Sequence, residues 1–414
     1  MLIQFRFKNY KSFRNDAFLD FSATKITEYS DSVVVQENLL PVAAVFGANA
    51  SGKSNLIGAL EFMTAYVMNS FSYGGNSENK KTDYEGIVPV PFQFDRESRN
   101  EPTLFEVYFI KPDDNNAKTY NYGFSLDKGG VVEEWLNVKS KTTKEPKTIF
   151  YRGKDEIDLS GLPGKSNELI NLSLNKETLI VSLGAKLKIT KLLDVYNWFN
   201  SMEVINFGNP FENVWLSRKV SKQFTDESIQ KKVVDYFATF DPSIIGFDVK
   251  TVEDEETKRK NLEINAIHRM IGGGEASIAL ADESAGTLKM FALYPYISNV
   301  LETGGFLAID ELNSRLHPLL VRNILRVFTD PEINHTHAQL LFSTHDAWQL
   351  SNNLLRRDEI WFVEKSTEGI STLYSLADFV DETGTKIRKD ESYEKNYLLG
   401  KYGAIPELKE LDIL

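Results

Sequence analysis

The stretch Gly47-Ala-Asn-Ala-Ser-Gly-Lys53-Ser54 decides the fold, because it fits the GxxxxGK[ST] phosphate-loop pattern at every fixed position. The apolar run Val42-Ala-Ala-Val-Phe46 before it is typical of a buried strand, and apolar residues at helical spacing follow it. A strand, a glycine-rich loop and a helix in this order direct backbone N–H groups and the positive end of the helix dipole at an anion. The stretch therefore predicts a site for nucleotide phosphates.

The predicted phosphate contacts lie within this stretch and the residue after it. Lys53 supplies a positive charge, and the Ser54 hydroxyl can bind a Mg²⁺ ion that bridges the β- and γ-phosphates. The predicted nucleotide-binding residues in this part of the chain are Gly47, Asn49, Ala50, Ser51, Gly52, Lys53, Ser54 and Asn55.

The composition limits the class of protein. With 414 residues the chain is longer than one compact core usually requires, so two lobes or a large insertion are expected. There is no cysteine, which excludes a disulfide scaffold, a cysteine-ligated zinc hook and thiol catalysis. The amino terminus lacks the apolar core of a signal peptide, and no apolar run approaches a membrane-spanning length. We therefore expect a cytoplasmic protein with no membrane partner.

The formal net charge of −12 argues against a dedicated nucleic-acid coat protein, which would normally be basic. Lysines and arginines are nevertheless dense between residues 139 and 154, and again between 186 and 191. A solvated face is the simpler interpretation of these segments. A groove that contacts DNA or RNA phosphates is the alternative.

The patterns along the chain predict two lobes with an insertion between them. Residues 2–8 and 17–22 alternate like a β-hairpin, and further alternating runs through residue 152 predict more antiparallel strands. Helical spacing then predominates. The predicted boundaries are 1–160 for the first lobe, 161–240 for a helical insertion, 241–380 for the second lobe and 381–414 for a charged tail.

A second constellation follows in the predicted second lobe. Phe306-Leu-Ala-Ile-Asp310-Glu311 has four apolar residues and then two carboxylates, which is typical of the carboxyl end of a central parallel strand. Gln339-Leu-Leu-Phe-Ser-Thr-His345 repeats this pattern 35 residues later, enough for one βαβ crossover, so the two polar tips should be neighbours.

These strand tips have predicted catalytic roles. Asp310 is predicted to hold the hydration shell of Mg²⁺, Glu311 to activate the attacking water, and His345 to contact the γ-phosphate. The alternatives are a helix cap or a solvated edge for the two acids, and a structural role for a lone histidine.

The distance along the chain between the two motifs is informative, because Asp310 lies 257 positions after Lys53. Ring-forming AAA+ motors usually hold both elements in one compact domain, so this gap favours a split nucleotide-binding domain. Asp282-Glu-Ser-Ala-Gly-Thr287 stands before a predicted helix, where ABC-type ATPases of the SMC, RecF and Rad50 kind carry their signature motif. That resemblance implies that Ser284, Gly286 and Thr287 bind the γ-phosphate of an ATP held by a second copy, in a head-to-tail homodimer.

Short motifs spread over nearly the full length extend the resemblance. They are Asn9-Tyr-Lys-Ser-Phe13, the phosphate loop, Glu283-Ser-Ala-Gly-Thr287, Ile309-Asp-Glu-Leu312, Leu316-His-Pro318, Ser343-Thr-His-Asp346 and Tyr397-Leu-Leu-Gly-Lys-Tyr-Gly-Ala-Ile-Pro406. With these motifs the chain resembles the AAA15 family of bacterial ATPases, which includes the AbiLi and RloA-type abortive-infection proteins and is related to the OLD family. The resemblance implies a glutamine that contacts Mg²⁺ and the attacking water, for which Gln93 is the nearest match.

The family resemblance also implies a role in antiviral defence. No carboxylate pair of a TOPRIM nuclease appears after His345, so we expect a separate effector protein, such as a nuclease or a RloB- or TOPRIM-like protein.

The expected fold is therefore an α/β P-loop NTPase of the ABC-ATPase type, with a mixed central sheet, an antiparallel β-lobe and a helical insertion. The expected activity is hydrolysis of ATP with Mg²⁺ at the interface of a homodimer. Two other classes remain open at this point. One is a DNA-repair or DNA-end-binding ATPase, and the other is a nucleotide-gated scaffold with little turnover.

Overall fold

The computed structural model describes residues 1–33, 36–73, 88–111, 118–143, 145–208, 224, 226–253, 260–380, 384 and 386–406. Of the predicted tail from 381 to 414, only residues 384 and 386–406 are among the described residues.

The described strands, in chain order, are β1 (Leu2–Lys8), β2 (Ala17–Asp20), β3 (Val42–Phe46), β4 (Thr103–Ile110), β5 (Thr119–Asp127), β6 (Gly130–Lys139), β7 (Lys147–Arg152), β8 (Ile157–Asp158), β9 (Met202–Asn206), β10 (Ile244–Glu253), β11 (Lys260–Arg269), β12 (Glu275–Ala279), β13 (Phe306–Asp310), β14 (Gln339–Ser343), β15 (Ile360–Lys365) and β16 (Ser371–Ser375).

The described α-helices are α1 (Ser30–Val33), α2 (Lys53–Tyr73), α3 (Gly164–Ser173), α4 (Ile180–Lys186), α5 (Thr190–Asn200), α6 (Glu227–Phe237), α7 (Ala285–Thr303), α8 (Pro318–Thr329) and α9 (Tyr393–Leu398).

The central sheet has the strand order β16-β15-β3-β14-β13-β9. All neighbouring strands in it are parallel except β16, which pairs antiparallel with β15. Strands β3, β13 and β14 are buried along their whole length, which explains their uninterrupted apolar sequences. Their carboxyl ends lie side by side at one edge of the sheet, so the predicted adjacency of the polar strand tips is confirmed.

The antiparallel strands form a second sheet in the order β2-β1-β4-β5-β6-β7-β8, which we call the β-lobe. Strands β1 and β2 pair as the predicted hairpin, and β4 to β7 continue it as the alternating sequence predicts. A third, three-stranded antiparallel sheet, β10-β11-β12, precedes α7.

Two apolar cores cover the two faces of the central sheet. Alternate residues of β3 enter different cores: Ala43 and Val45 pack with α2, the β-lobe and helices α4 and α5. Phe46 and its neighbours on the other face pack with α7, α8 and α9. Because successive side chains of a strand point to opposite faces, one buried strand joins both cores.

The segment from 161 to 240 contains α3, α4, α5 and α6, but it also contributes β9 to the central sheet. Met202 and Ile205 of this short strand are buried, and Asn206 pairs in register with Asp310. A five-residue strand is too short to show a clear period within a helical region. The central sheet therefore takes an edge strand from the middle of the segment predicted as an insertion, whose residues 209–223 and 225 lie outside the described part.

Candidate functional site

The phosphate loop joins β3 to α2, and its shape requires glycine at two positions. A Cβ atom on Gly47 would lie 2.4 Å from the carbonyl oxygen of Val363, and one on Gly52 would lie 2.5 Å from Ser371 Oγ. The backbone N–H groups of Asn55 and Leu56 donate to the Gly52 carbonyl at 2.9 and 3.1 Å. The loop therefore closes directly onto the amino end of α2, where unpaired N–H groups and the helix dipole attract anions.

Lys53 lies inside this loop. Its side chain is buried, and its ammonium donates to the carbonyl oxygens of Gly47 at 2.8 Å and Ala48 at 3.0 Å. Burial lowers the pKa of Lys53, and the negative charges of Glu311 and Asp310 oppose that change. The lysine is thus a partly desolvated cation that faces both acids at the end of β13.

Asp310 is the most enclosed acid of the site, with 1% of its surface exposed. Its Oδ1 atom accepts a short hydrogen bond from Ser343 Oγ at the end of β14. Its Oδ2 atom is buried and has no hydrogen-bond partner among the described residues. A buried carboxylate oxygen without a donor is costly, and a Mg²⁺ ion or its bound water would satisfy it.

The residues present therefore fit the magnesium ion that the phosphate loop implies. Asp310 offers a carboxylate oxygen and Ser54 an exposed hydroxyl, and Mg²⁺ prefers such oxygen ligands.

Glu311 follows Asp310 with a left-handed backbone, at φ +58°. Few residues other than glycine adopt this conformation, and here the Glu311 N–H donates to Ser343 Oγ at 2.9 Å. The Glu311 carboxylate lies 3.6 Å from His345 Nδ1, and His345 Nε2 lies 3.3 Å from Asn313 Nδ2. The predicted water-activating acid and the predicted γ-phosphate contact are therefore direct neighbours.

The predicted signature turn lies at the surface. Ser284 is exposed and caps α7: its Oγ accepts from the Thr287 N–H at 3.1 Å and lies 2.8 Å from Thr287 Oγ1. Glu283 lies 2.7 Å from His268 Nε2, which ties the turn to β11. A Cβ on Gly286 would come 3.2 Å from the Arg315 carbonyl oxygen, so the turn also packs against the loop that follows Glu311.

A family model described as "AAA domain, putative AbiEii toxin, Type IV TA system" matches residues 42–347. The chain belongs to this family. The match begins at β3, includes the phosphate loop, the signature turn and Asp310, and ends just after His345. It establishes a P-loop ATPase domain of the AAA/ABC kind, of a type associated with toxin–antitoxin and abortive-infection systems, but not the predicted AAA15 subtype with its AbiLi and RloA-type members.

The comparison with curated proteins gives no significant match. Among the described residues of this AAA-domain protein, no helix combines the length and the apolar character needed to cross a membrane.

The remaining predicted nucleotide contacts occupy different environments. Asn49 and Ala50 are exposed at the tip of the loop, whereas Ser51 is buried. The side-chain amide of Asn55 donates to Ser12 Oγ at 2.7 Å. Gln93 is exposed, and its side-chain amide donates to the Pro91 carbonyl at 2.8 Å. Its predicted contact with Mg²⁺ therefore rests on the resemblance alone.

Lys289 is a residue of the site that the sequence did not reveal. It is buried in α7, five residues after Ser284, and its ammonium donates to the carbonyl oxygens of Glu311, Leu312 and Ser314 at 2.9, 2.9 and 2.8 Å. Burial lowers its pKa to about 7. The only available signal in the sequence was a single cation in an otherwise uncharged stretch of helix.

Asn206 and Asn313 are two further polar groups that the fold brings to this edge. Asn206 ends β9 opposite Asp310, and Asn313 Oδ1 accepts from Thr344 Oγ1 at 2.9 Å. The sequence gives little signal for Asn206, because Glu203 interrupts the apolar residues of β9. The bond between Asn313 and Thr344 joins two loops that are separated by a helix, so no local pattern predicts it.

Proposed function

We propose that this chain is an ABC-type ATPase that hydrolyses ATP, with Mg²⁺, at the interface of a head-to-tail homodimer. Three features support the proposal: the 257 positions from Lys53 to Asp310, the β-lobe beside a mostly parallel sheet, and a helix amino end at the surface. A split domain of this kind leaves room for a second copy to cover the phosphate loop.

The residues of one chain have distinct roles in this proposal. The loop N–H groups and Lys53 bind the β- and γ-phosphates. Ser54 and Asp310 hold Mg²⁺, which supplies positive charge against the phosphate oxygens. Glu311 orients the attacking water and accepts its proton, and His345 contacts the γ-phosphate. Gln93 is proposed as a further contact to Mg²⁺ on the strength of the family resemblance.

The main support for the proposed dimer is the signature turn, Asp282 to Thr287. Ser284 is exposed, and among the described residues its hydrogen bonds, to Thr287 and Leu288, stay within the first turn of its own helix. The amino end of α7 therefore still has N–H groups to offer to an anion. We assign that anion as the γ-phosphate of the ATP bound by the second copy, contacted by Ser284, Gly286 and Thr287.

The family description supports a role in antiviral defence. We propose that the homodimer is the sensor or regulatory ATPase of an abortive-infection system in the cytoplasm. ATP-dependent closure would control a separate effector protein, such as a nuclease or a RloB- or TOPRIM-like protein.

The decisive experiment uses Glu311→Gln, which keeps the size of the side chain but cannot accept a proton. We expect this variant to bind Mg·ATP, to lose turnover by about 100-fold or more, and to accumulate as a dimer. Size-exclusion chromatography with light scattering and a phosphate-release assay measure the two effects.

Two controls accompany this experiment. Lys53→Ala should bind ATP too weakly to dimerise, because the phosphates lose their buried cation. Gln93→Ala tests separately whether Gln93 contacts Mg²⁺. Unchanged turnover in Glu311→Gln would contradict the proposed mechanism.

A further inference from the structure

Two serines from distant parts of the chain contact the phosphate loop. Ser12 lies in the turn between β1 and β2, and Ser371 is the first residue of β16. Ser371 Oγ lies 2.5 Å from the Ser51 carbonyl oxygen and 2.8 Å from Ser12 Oγ. The Ser371 N–H also donates to the Ser12 carbonyl at 2.8 Å. Asn55 Nδ2 donates to Ser12 Oγ at 2.7 Å.

These contacts link four residues through the Ser12 and Ser371 hydroxyls. A hydroxyl has one hydrogen to donate, and a carbonyl oxygen can only accept. The Ser371 hydroxyl is the donor toward both the Ser51 carbonyl and Ser12 Oγ, so these two acceptors share its one hydrogen. Ser12 Oγ also accepts from the Asn55 amide. Asn55, Ser12, Ser371 and Ser51 are therefore linked in one continuous set of contacts, which we call the relay.

The relay begins and ends on the phosphate loop itself. Its two ends, Ser51 and Asn55, flank Gly52, Lys53 and Ser54, the residues that offer the backbone N–H, the ammonium and the metal-binding hydroxyl. Ser12, Ser51 and Ser371 are between 2 and 6% exposed, so water has little access to replace a lost partner.

Gly52 shows how closely the relay follows the loop. A Cβ at this position would lie 2.5 Å from Ser371 Oγ and 3.0 Å from Ser12 Oγ. Both serine hydroxyls therefore lie directly against the backbone at the centre of the phosphate-binding turn. Because Ser12 belongs to the β-lobe and Ser371 to the edge of the central sheet, the two sheets are joined at this point.

We infer that Ser12 and Ser371 are positioning residues that hold the phosphate loop in its nucleotide-binding shape from two different sheets. The inference rests on the proposed function, since it concerns the loop that binds ATP. A loop held in this shape before binding need not be ordered by the ligand, so removing the relay should weaken nucleotide binding.

The test compares Ser12→Ala, Ser371→Ala and the double variant by calorimetric titration with Mg·ATP. We expect each single variant to bind about five-fold more weakly, the effect of one lost hydrogen bond. The double variant should also lose only about five-fold, because residues of one network are not additive. Two independent contacts would instead give about a 25-fold loss.

Ser375→Ala is the matched control, because Ser375 is a buried serine at the other end of β16. Its hydroxyl accepts from the Ala377 N–H at 3.1 Å, away from the loop. This variant should lower the melting temperature without changing the affinity for Mg·ATP. A purely structural role of Ser371 would give the same pattern as the control.

The outcomes separate this inference from the proposed function. Affinity within about two-fold of the unchanged chain in both single variants, or an equal loss in Ser375→Ala, would overturn the inference alone. Failure of the unchanged chain to bind Mg·ATP would overturn the proposed function and the inference with it. If Ser371→Ala does not fold, Ser12→Ala decides the question by the same affinity measurement.

Discussion

The phosphate-loop half and the signature half of the proposed site differ in how firmly their own chain holds them. Lys53 and Asp310 are 6% and 1% exposed, and both make hydrogen bonds within the edge of the central sheet. Ser284 is exposed, and among the described residues it forms hydrogen bonds only within the first turn of its own helix. The phosphate-loop half is held by contacts within its own chain, whereas the signature half faces solvent.

The difference follows from where each half can find its partners. A lysine and an aspartate can be buried only because folding supplies oxygens and charges around them. A helix amino end is satisfied by water until an anion arrives, so it can remain at the surface at little cost. The exposed half is therefore the one that a second copy can use.

The largest predicted effect tests this division by mixing two inactive variants. Lys53→Ala removes the buried half and Ser284→Arg blocks the exposed half, so each alone should lose turnover by about 100-fold or more. In an equal mixture, a dimer of one copy of each variant keeps one complete site. Random association would make half of the dimers mixed, so turnover should recover to at most about a quarter of the original, and to less where Lys53→Ala weakens dimerisation; phosphate release measures the recovery.

Asn299→Arg is the matched control for that experiment, because Asn299 is an exposed residue on the same helix, α7. On its own, Asn299→Arg should leave turnover unchanged. Mixed with Lys53→Ala, it should give no more turnover than its own intact phosphate loops supply. No recovery in the mixture of Lys53→Ala with Ser284→Arg would show that the two halves do not meet across a dimer.

A smaller effect is expected where the two halves are connected within one chain. Lys289 on the signature helix holds three carbonyl oxygens of the loop after Asp310. Lys289→Met keeps the length of the side chain but leaves these acceptors without a donor, so we expect turnover to fall by about ten-fold or more and stability by about 1–3 kcal/mol.

Lys232→Met controls for loss of a lysine near α7, since Lys232 pairs with Glu302 of that helix at 3.7 Å and is well exposed. Such an exposed pair contributes at most about 1 kcal/mol, so neither turnover nor stability should change much. If both variants behaved alike, the contact of Lys289 with the loop would have no role in catalysis.

The placement of the buried half could be predicted because its motifs are local. A glycine pattern, an apolar strand and two terminal acids each occupy a few consecutive residues, so the phosphate loop and the strand tips of Asp310 and His345 could be recognised directly. Their adjacency followed from the length of one βαβ crossover. The alternating runs likewise predicted that the β-lobe is antiparallel, but not the order of its strands.

The missed features join residues that are far apart in the chain. The contacts of Lys289 cross 22 to 25 positions, and the bond between Ser371 and Ser12 crosses 359. Strand β9 was missed because five residues in a helical region show no clear period. Such contacts depend on how elements pack, which a single sequence does not display.

The last prediction concerns a buried acid that belongs to neither half of the site. Its substitution should change the stability of the fold and leave the site unchanged. Glu134 of β6 accepts hydrogen bonds from the Ile180 N–H at 2.7 Å, the Val181 N–H at 3.2 Å and the Tyr122 hydroxyl at 3.0 Å. Burial nevertheless raises its pKa from 4.5 to about 7.

Between these two values the folded chain keeps a proton on Glu134 that the unfolded chain has released, so the free energy of unfolding falls as pH rises. Glu134→Gln has no such proton. From about pH 5 to pH 8 the unchanged chain should therefore lose up to about 3 kcal/mol of stability relative to the variant. Urea unfolding at each pH measures this difference in the free energy of unfolding. The contributions of the other acids cancel from the difference, because these acids titrate in both proteins. The affinity for Mg·ATP should stay equal in the two proteins, and parallel stability curves would show that Glu134 is already ionised across this range.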